Sequence, residues 1–129
     1  MHTFIIQVNG PAYGSQSSYH AYRFTQACLS AGHQVEKVFF YQDGVLNANM
    51  LHAPASDEFD LAKAWRELAT THQIPLINCV AAAMRRGVLA ETDAKELNLS
   101  QWNSEAPFSN AGLGELVTGI ETAQRLVSF

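Results

Sequence analysis

The two thiols are the residues with the most reactive chemistry in this chain, and they are set in different surroundings. Cys79 is the next-to-last residue of the apolar run PLINCV, with AAAMRRG following Val80, so it falls at the end of an expected strand and immediately before an expected helix. There the unpaired N–H groups of a first helical turn face the sulfur. They would lower its pKa and populate the thiolate that a nucleophilic or persulfide-carrying cysteine requires. The same position suits a packed strand cysteine acting as a small apolar residue, and placement by itself leaves both open. Cys28, between Ala27 and Leu29 inside a helical run, has no helix end or base near it in sequence and is expected to be packing. Arg85 and Arg86 follow Cys79 by one to two turns; they either set positive charge near its sulfur or complement the dipole at a solvated helix end.

Other chemistries find little support. The turn GPAYG (10–14) lets backbone approach a ligand but has neither GxGxxG nor Walker spacing, so no nucleotide site is expected. Its Tyr13 either lines the pocket of the cysteine or covers the sheet edge. Histidines 2, 20, 33, 52 and 72 show neither HxxxH nor HExxH spacing, and no GxSxG elbow occurs, so neither a metal ligand set nor a serine nucleophile is read here. Asp57, Glu58 and Asp60 group at the start of an expected helix, where the dipole alone favours acids. Eight basic against twelve acidic residues, with no basic cluster beyond Arg85 and Arg86, lack the footprint of direct nucleic-acid binding.

The elements that must position Cys79 follow from periodicity. His2–Val8 reads as a strand that runs into the Gly10–Gly14 turn. A helix capped by the hydroxyls of Ser15 to Ser18 should then stop at Gly32, and Val35–Tyr41 is a second strand. Residues 42–56 carry no lasting period and read as a long ordered loop; its Val45, Leu46, Met50 and Leu51 look exposed. VLNANML is therefore a candidate docking surface, unless the loop folds back over its own sheet. Asp57 is expected to cap a helix running to about His72, with Leu61, Ala62, Trp65, Leu68 and Ala69 as its apolar face. Beyond the Cys79 strand come helices at 81–86 and 91–97, a short strand at 108–110, a helix at 113–123 that tolerates Gly119, and a last strand at 125–129. Strands alternating with helices, without hairpin turns, imply an α/β fold with a mostly parallel sheet covered on both faces. Reactive sites in such folds lie beyond the carboxyl ends of the strands, where the GPAYG turn, the loop after Tyr41 and Cys79 all fall.

With 129 residues the chain is expected to form a single domain over positions 1–129. Charged residues make up 16% of it, below the roughly 25% of an average domain, which suggests surface covered by partners. Widely spaced cysteines without CxxC, no leader-like segment before Phe4 and no apolar run near the roughly 20 residues of a membrane span together predict a cytoplasmic protein with free thiols.

Taken together, GPAYGSQSS, VFFYQDGVLNANML, PASDEFDLAKAW, INCVAAAMRRGV and GLGEL closely resemble the DsrE-like subunits of the Tus sulfur-relay complex along essentially the whole chain, with 98–110 the least distinctive part. The resemblance implies a three-layer DsrE-like fold with a five-stranded sheet, and a sulfurtransferase in which Cys79, in INCVAAAMRRGV, takes up sulfane sulfur as a persulfide. It also implies a heterohexamer with TusB-like and TusC-like subunits, a TusA-like donor and a TusE-like acceptor, with 2-thiolation of the tRNA wobble uridine as the end use. No cofactor is implied, and no role for Cys28. Two alternatives stay beside it: sulfur trafficking in the opposite sense, as in sulfur-oxidising bacteria, and an interaction subunit whose Cys79 is only packed.

Overall fold

The computed structural model describes residues 1–129. Five strands, β1 (Thr3–Val8), β2 (Gln34–Phe40), β3 (Leu76–Cys79), β4 (Phe108–Ala111) and β5 (Arg125–Ser128), form one sheet in the order β4-β3-β2-β1-β5. Every neighbouring pair is parallel. Helices α1 (Ser17–Ser30), α2 (Leu61–His72), α3 (Val80–Arg85), α4 (Glu91–Glu96) and α5 (Gly114–Thr122) make the crossovers. The expected α/β architecture with a five-stranded parallel sheet is thus present.

Register assigns each strand residue to a face, because side chains alternate along a strand and paired positions in neighbouring strands project together. Ile6, Val8, Val38, Phe40, Leu76, Asn78 and Phe108 share the face covered by α1 and α2. Its centre is Trp65 of α2, fully buried, with its ring edge-on to Phe40 at 5.3 Å and to Tyr22 of α1 at 5.4 Å. Offset aromatic contacts of this kind add about 0.5–1.5 kcal/mol each beyond area burial. Ile5, Lys37, Phe39, Ile77 and Cys79 share the other face. The chain steps from β1 to β4 in one direction and then returns to the far side of β1, so a right-handed last crossover puts α5 on that second face. Gly119 marks the contact: a Cβ there would come within 2.9 Å of Ile5 Cδ1. The glycine tolerated in the helix pattern is therefore where α5 lies against the sheet.

Three local expectations are corrected. Residues 42–56 are not one loop, since Gln42–Ala48 forms a 3₁₀ helix; Val45 is fully buried and Leu46 half-buried, and only Leu51 among the four apolar residues is well exposed. The segment folds back because Gly44 abuts β1, where any Cβ would overlap the Val8 carbonyl, and because Asn47 and Asn78 bind it down. Second, α2 is capped by Asp60, whose Oδ1 accepts the Lys63 N–H at 3.1 Å. Asp57 precedes the helix by a turn, and Glu58 accepts the Ala55 N–H, so the carboxylates lie before the first turn rather than in it. Third, the residue capping α1 is Gln16, with no side-chain bond; of the serines, Ser15 Oγ accepts the Ser17 N–H at 3.3 Å and shares a hydrogen bond with Ser17 Oγ at 3.0 Å.

Candidate active site

Cys79 is the last residue of β3 and the N-cap of α3. Its backbone is still extended (φ −62°, ψ 115°), and its thiol makes no capping hydrogen bond. The chain changes from strand to helix here because Leu76, Ile77 and Asn78 are wholly inside the sheet, whereas AAAMR is a strong helix former ended by Gly87 at φ +70°. Only 2% of Cys79 is accessible. The sulfur sits at the carboxyl edge of the sheet, where reactive sites of such folds lie, but under cover.

The 3₁₀ segment forms much of that edge. Asn47 Nδ2 donates to Gly10 O at 3.2 Å and Gly44 O at 2.8 Å, and its Oδ1 accepts from Ser18 Oγ at 2.9 Å, which ties the GPAYG turn and the start of α1 to the segment. Asn78, next to Cys79, donates from Nδ2 to Val45 O at 3.2 Å. The ends of β1, β2 and β3 are thereby joined by two buried asparagines. The sequence reading passed over both, and the signal available was a polar residue inside an apolar run, PLINCV, which folds only with partners for its amide.

The flanking candidates separate. Arg86 lies neither free at a helix end nor toward a thiolate: its Nε binds Asp43 Oδ1 at 2.8 Å and its Nη1 donates to Ala82 O at 3.1 Å, clamping α3 to the 3₁₀ segment. Arg85 is exposed. Tyr13 covers rather than lines: its hydroxyl donates to Phe59 O at 2.9 Å and its ring meets His52 edge-on at 5.7 Å. Burial pushes the Tyr13 hydroxyl above its usual pKa, and burial lowers that of His52, whose Nδ1 is buried without a partner. Cys28 faces the core from α1, and burial raises its pKa, which agrees with a packing role. The structure brings no three His, Cys, Asp or Glu side chains together in a cluster that could hold a metal ion. No helix is long and apolar enough to cross a membrane.

What this arrangement offers is the chemistry of a thiol at sulfur: one cysteine at a strand end, in a site buried beneath the 3₁₀ segment. Comparison with known proteins points the same way. Residues 2–129 match the profile of the DsrE/DsrF-like family. A protein of Aliivibrio fischeri named Sulfurtransferase TusD homolog is 53% identical over 122 residues, 95% of this chain and 94% of its own. Sulfurtransferase TusD of Pectobacterium carotovorum is 49% identical over the whole of both chains, and a Vibrio cholerae TusD homolog is 48% identical over 98% of this chain and 97% of its own. Among solved structures, the ychN protein of E. coli superposes with a TM-score of 0.79 over the full length of both chains at 19% identity, a likeness of fold.

Proposed function

This chain belongs to the DsrE/DsrF-like family and is a sulfurtransferase, and from that premise we propose that Cys79 carries the sulfur as a persulfide in a protein-to-protein relay. The observation that carries the assignment is the place of Cys79: of the two cysteines, it alone ends a strand at the carboxyl edge of the sheet, while Cys28 is core packing.

The chemistry is an exchange. The Cys79 thiolate attacks the outer sulfur of a donor persulfide; the donor S–S bond breaks, a new S–S bond forms at Cys79, and the donor cysteine leaves as thiolate. The terminal sulfur keeps its proton or negative charge throughout, so no oxidant or reductant is consumed. An acceptor thiolate then repeats the step on Cys79. The protein supplies position and shelter: a persulfide beside a 2%-accessible residue is kept from stray thiols until a partner docks.

In the relay proposed here the donor is TusA-like, the acceptor TusE-like, and TusB-like and TusC-like subunits complete a hetero-oligomer in the cytoplasm. The sulfur ends as the 2-thio group of the tRNA wobble uridine, and the chain itself, acidic and without a basic patch, does not hold the tRNA. A single domain spanning 1–129 is part of this reading. The names of the TusD relatives, at about half identity over nearly full length, support the relay.

The test loads the protein with labelled sulfane sulfur from a donor persulfide. Wild type and Cys28→Ser should retain label and pass it to an acceptor thiol, and Cys79→Ser should do neither. Transferable label on Cys79→Ser overturns the site. In cells lacking the gene, failure of Cys79→Ser, with success of Cys28→Ser, in restoring 2-thiouridine tests the end use.

A further inference from the structure

Sulfur transfer needs an exposed sulfur, yet only 2% of Cys79 is accessible, so part of its cover must move. The sulfur lies beneath the 3₁₀ segment Gln42–Ala48, at the point where α3 leaves the sheet. Buried ties hold the segment to the strands: Asn78 Nδ2 on Val45 O, Asn47 Nδ2 on Gly10 O, and Gly44 packed on the Val8 carbonyl. Val45, Asn47 and Asn78 are wholly inaccessible, so breaking these ties would leave buried amides and carbonyls unpaired. The segment is held to α3 differently. One hydrogen-bonded contact joins them, Arg86 Nε to Asp43 Oδ1 at 2.8 Å, and no backbone hydrogen bond runs beside it.

That pair is suited to release. The side chains of Asp43 and Arg86 are 58% and 29% exposed, and an ion pair in contact with water holds weakly and is screened by salt. Neither group is stranded when they part, since water reaches both and Arg86 Nη1 keeps Ala82 O at 3.1 Å. The chain also enters the segment at Gln42 with φ +51°, a left-handed conformation that strains a residue carrying a Cβ, so the docked start of the segment needs a tie. We propose that the ion pair of Asp43 with Arg86 is the latch on Cys79. Closed, it holds α3 against the segment and hides the sulfur. Released, it lets α3 part from the segment while the buried asparagines keep the segment on the sheet. Asp43 and Arg86 are positioning residues, acting through α3 rather than on the sulfur. The latch rests on the relay reading above and adds to it what shields a loaded persulfide from small thiols between transfers.

The experiment uses the full chain and follows alkylation of both cysteines by iodoacetamide, an uncharged reagent, through peptide mass spectrometry. Cys28, in the core, reports any general loosening. Asp43→Ala should raise the Cys79 rate about 2- to 5-fold, the range that an exposed ion pair allows, with the Cys28 rate and the melting temperature as in wild type. Asp43→Glu, which keeps the charge, should stay near wild type. Raising the ionic strength from about 0.05 to 1 M should speed Cys79 in wild type and leave Asp43→Ala unchanged. Loaded with labelled sulfane sulfur, Asp43→Ala should lose it to glutathione faster by the same factor. The latch is overturned if Cys79 reacts in Asp43→Ala as in wild type, or if Cys28 speeds up equally. It is overturned too if the whole gain comes from a shifted pH profile, since removing a carboxylate would then have changed the thiol and not its cover. If Cys79 takes up no label while Asp43→Ala still speeds its alkylation, the relay reading falls and the latch stands.

Discussion

At the scale of single residues, the two thiols are both buried and differ in what surrounds them. Cys28 sits mid-helix with its pKa raised by burial, so its thiolate is scarce at neutral pH. Cys79 ends β3 at the edge where three strand ends converge, so its reaction requires local opening of that edge, whereas reaching Cys28 requires opening the core. Iodoacetamide at neutral pH should therefore modify Cys79 well before Cys28, followed by peptide mass spectrometry. A bulky maleimide should lag behind iodoacetamide, since access is gated by size. Equal rates at the two cysteines would argue that Cys79 is packing alone. The pattern PLINCV was enough to bring Cys79 forward from sequence. Its cover was not, because what buries a strand end comes from segments distant in the chain.

Among the elements, the 3₁₀ segment and α2 show where local signals reach and where they stop. Replacing Asp60 by Ala should cost about 1 kcal/mol in urea unfolding, the usual value of an N-cap, whereas Asp57→Ala should change little. Both aspartates look alike as sequence; only Asp60 reaches the Lys63 amide. Gly44→Ala should destabilise by about 3 kcal/mol, since its Cβ would meet the rigid Val8 carbonyl rather than a flexible side chain. A variant as stable as wild type would show that the segment can lift from β1. QDGVLNA has no helical period, so its fold-back stood only as an alternative to an exposed docking loop; the close approach at Gly44 and the two buried asparagines decide it.

On the scale of the whole molecule, stability should depend on pH through His52. Burial lowers its folded pKa below the unfolded value near 6.5, so its contribution is full above that pH and is lost as pH falls through the folded pKa. Thermal melts of wild type should drop as pH falls below about 6.5, and His52→Leu should flatten the drop. An unchanged slope in that variant would assign the acid sensitivity elsewhere. His52 packs on Tyr13, which binds Phe59, and Phe59 packs on Tyr19 and Tyr22, so its protonation disturbs the layer between α1 and α2.

What the amino-acid order determined by itself was whatever depends on neighbours within a turn or a strand. That includes the alternation of apolar strands with amphipathic helices, and so the parallel sheet; the stops at Gly32 and Gly87, both at positive φ; and the strand-to-helix junction that singles out Cys79. Tertiary structure decided what depends on residues tens of positions apart. It buried Val45 by folding its segment back against the sheet, spent Arg86 on Asp43, chose Asp60 over Asp57, and left Leu113, Val117 and Ile120 exposed along one flank of α5. The reason is physical: periodicity says that a side chain is apolar and which way it alternates, but whether it meets protein or water is settled only when the faces of the sheet are filled.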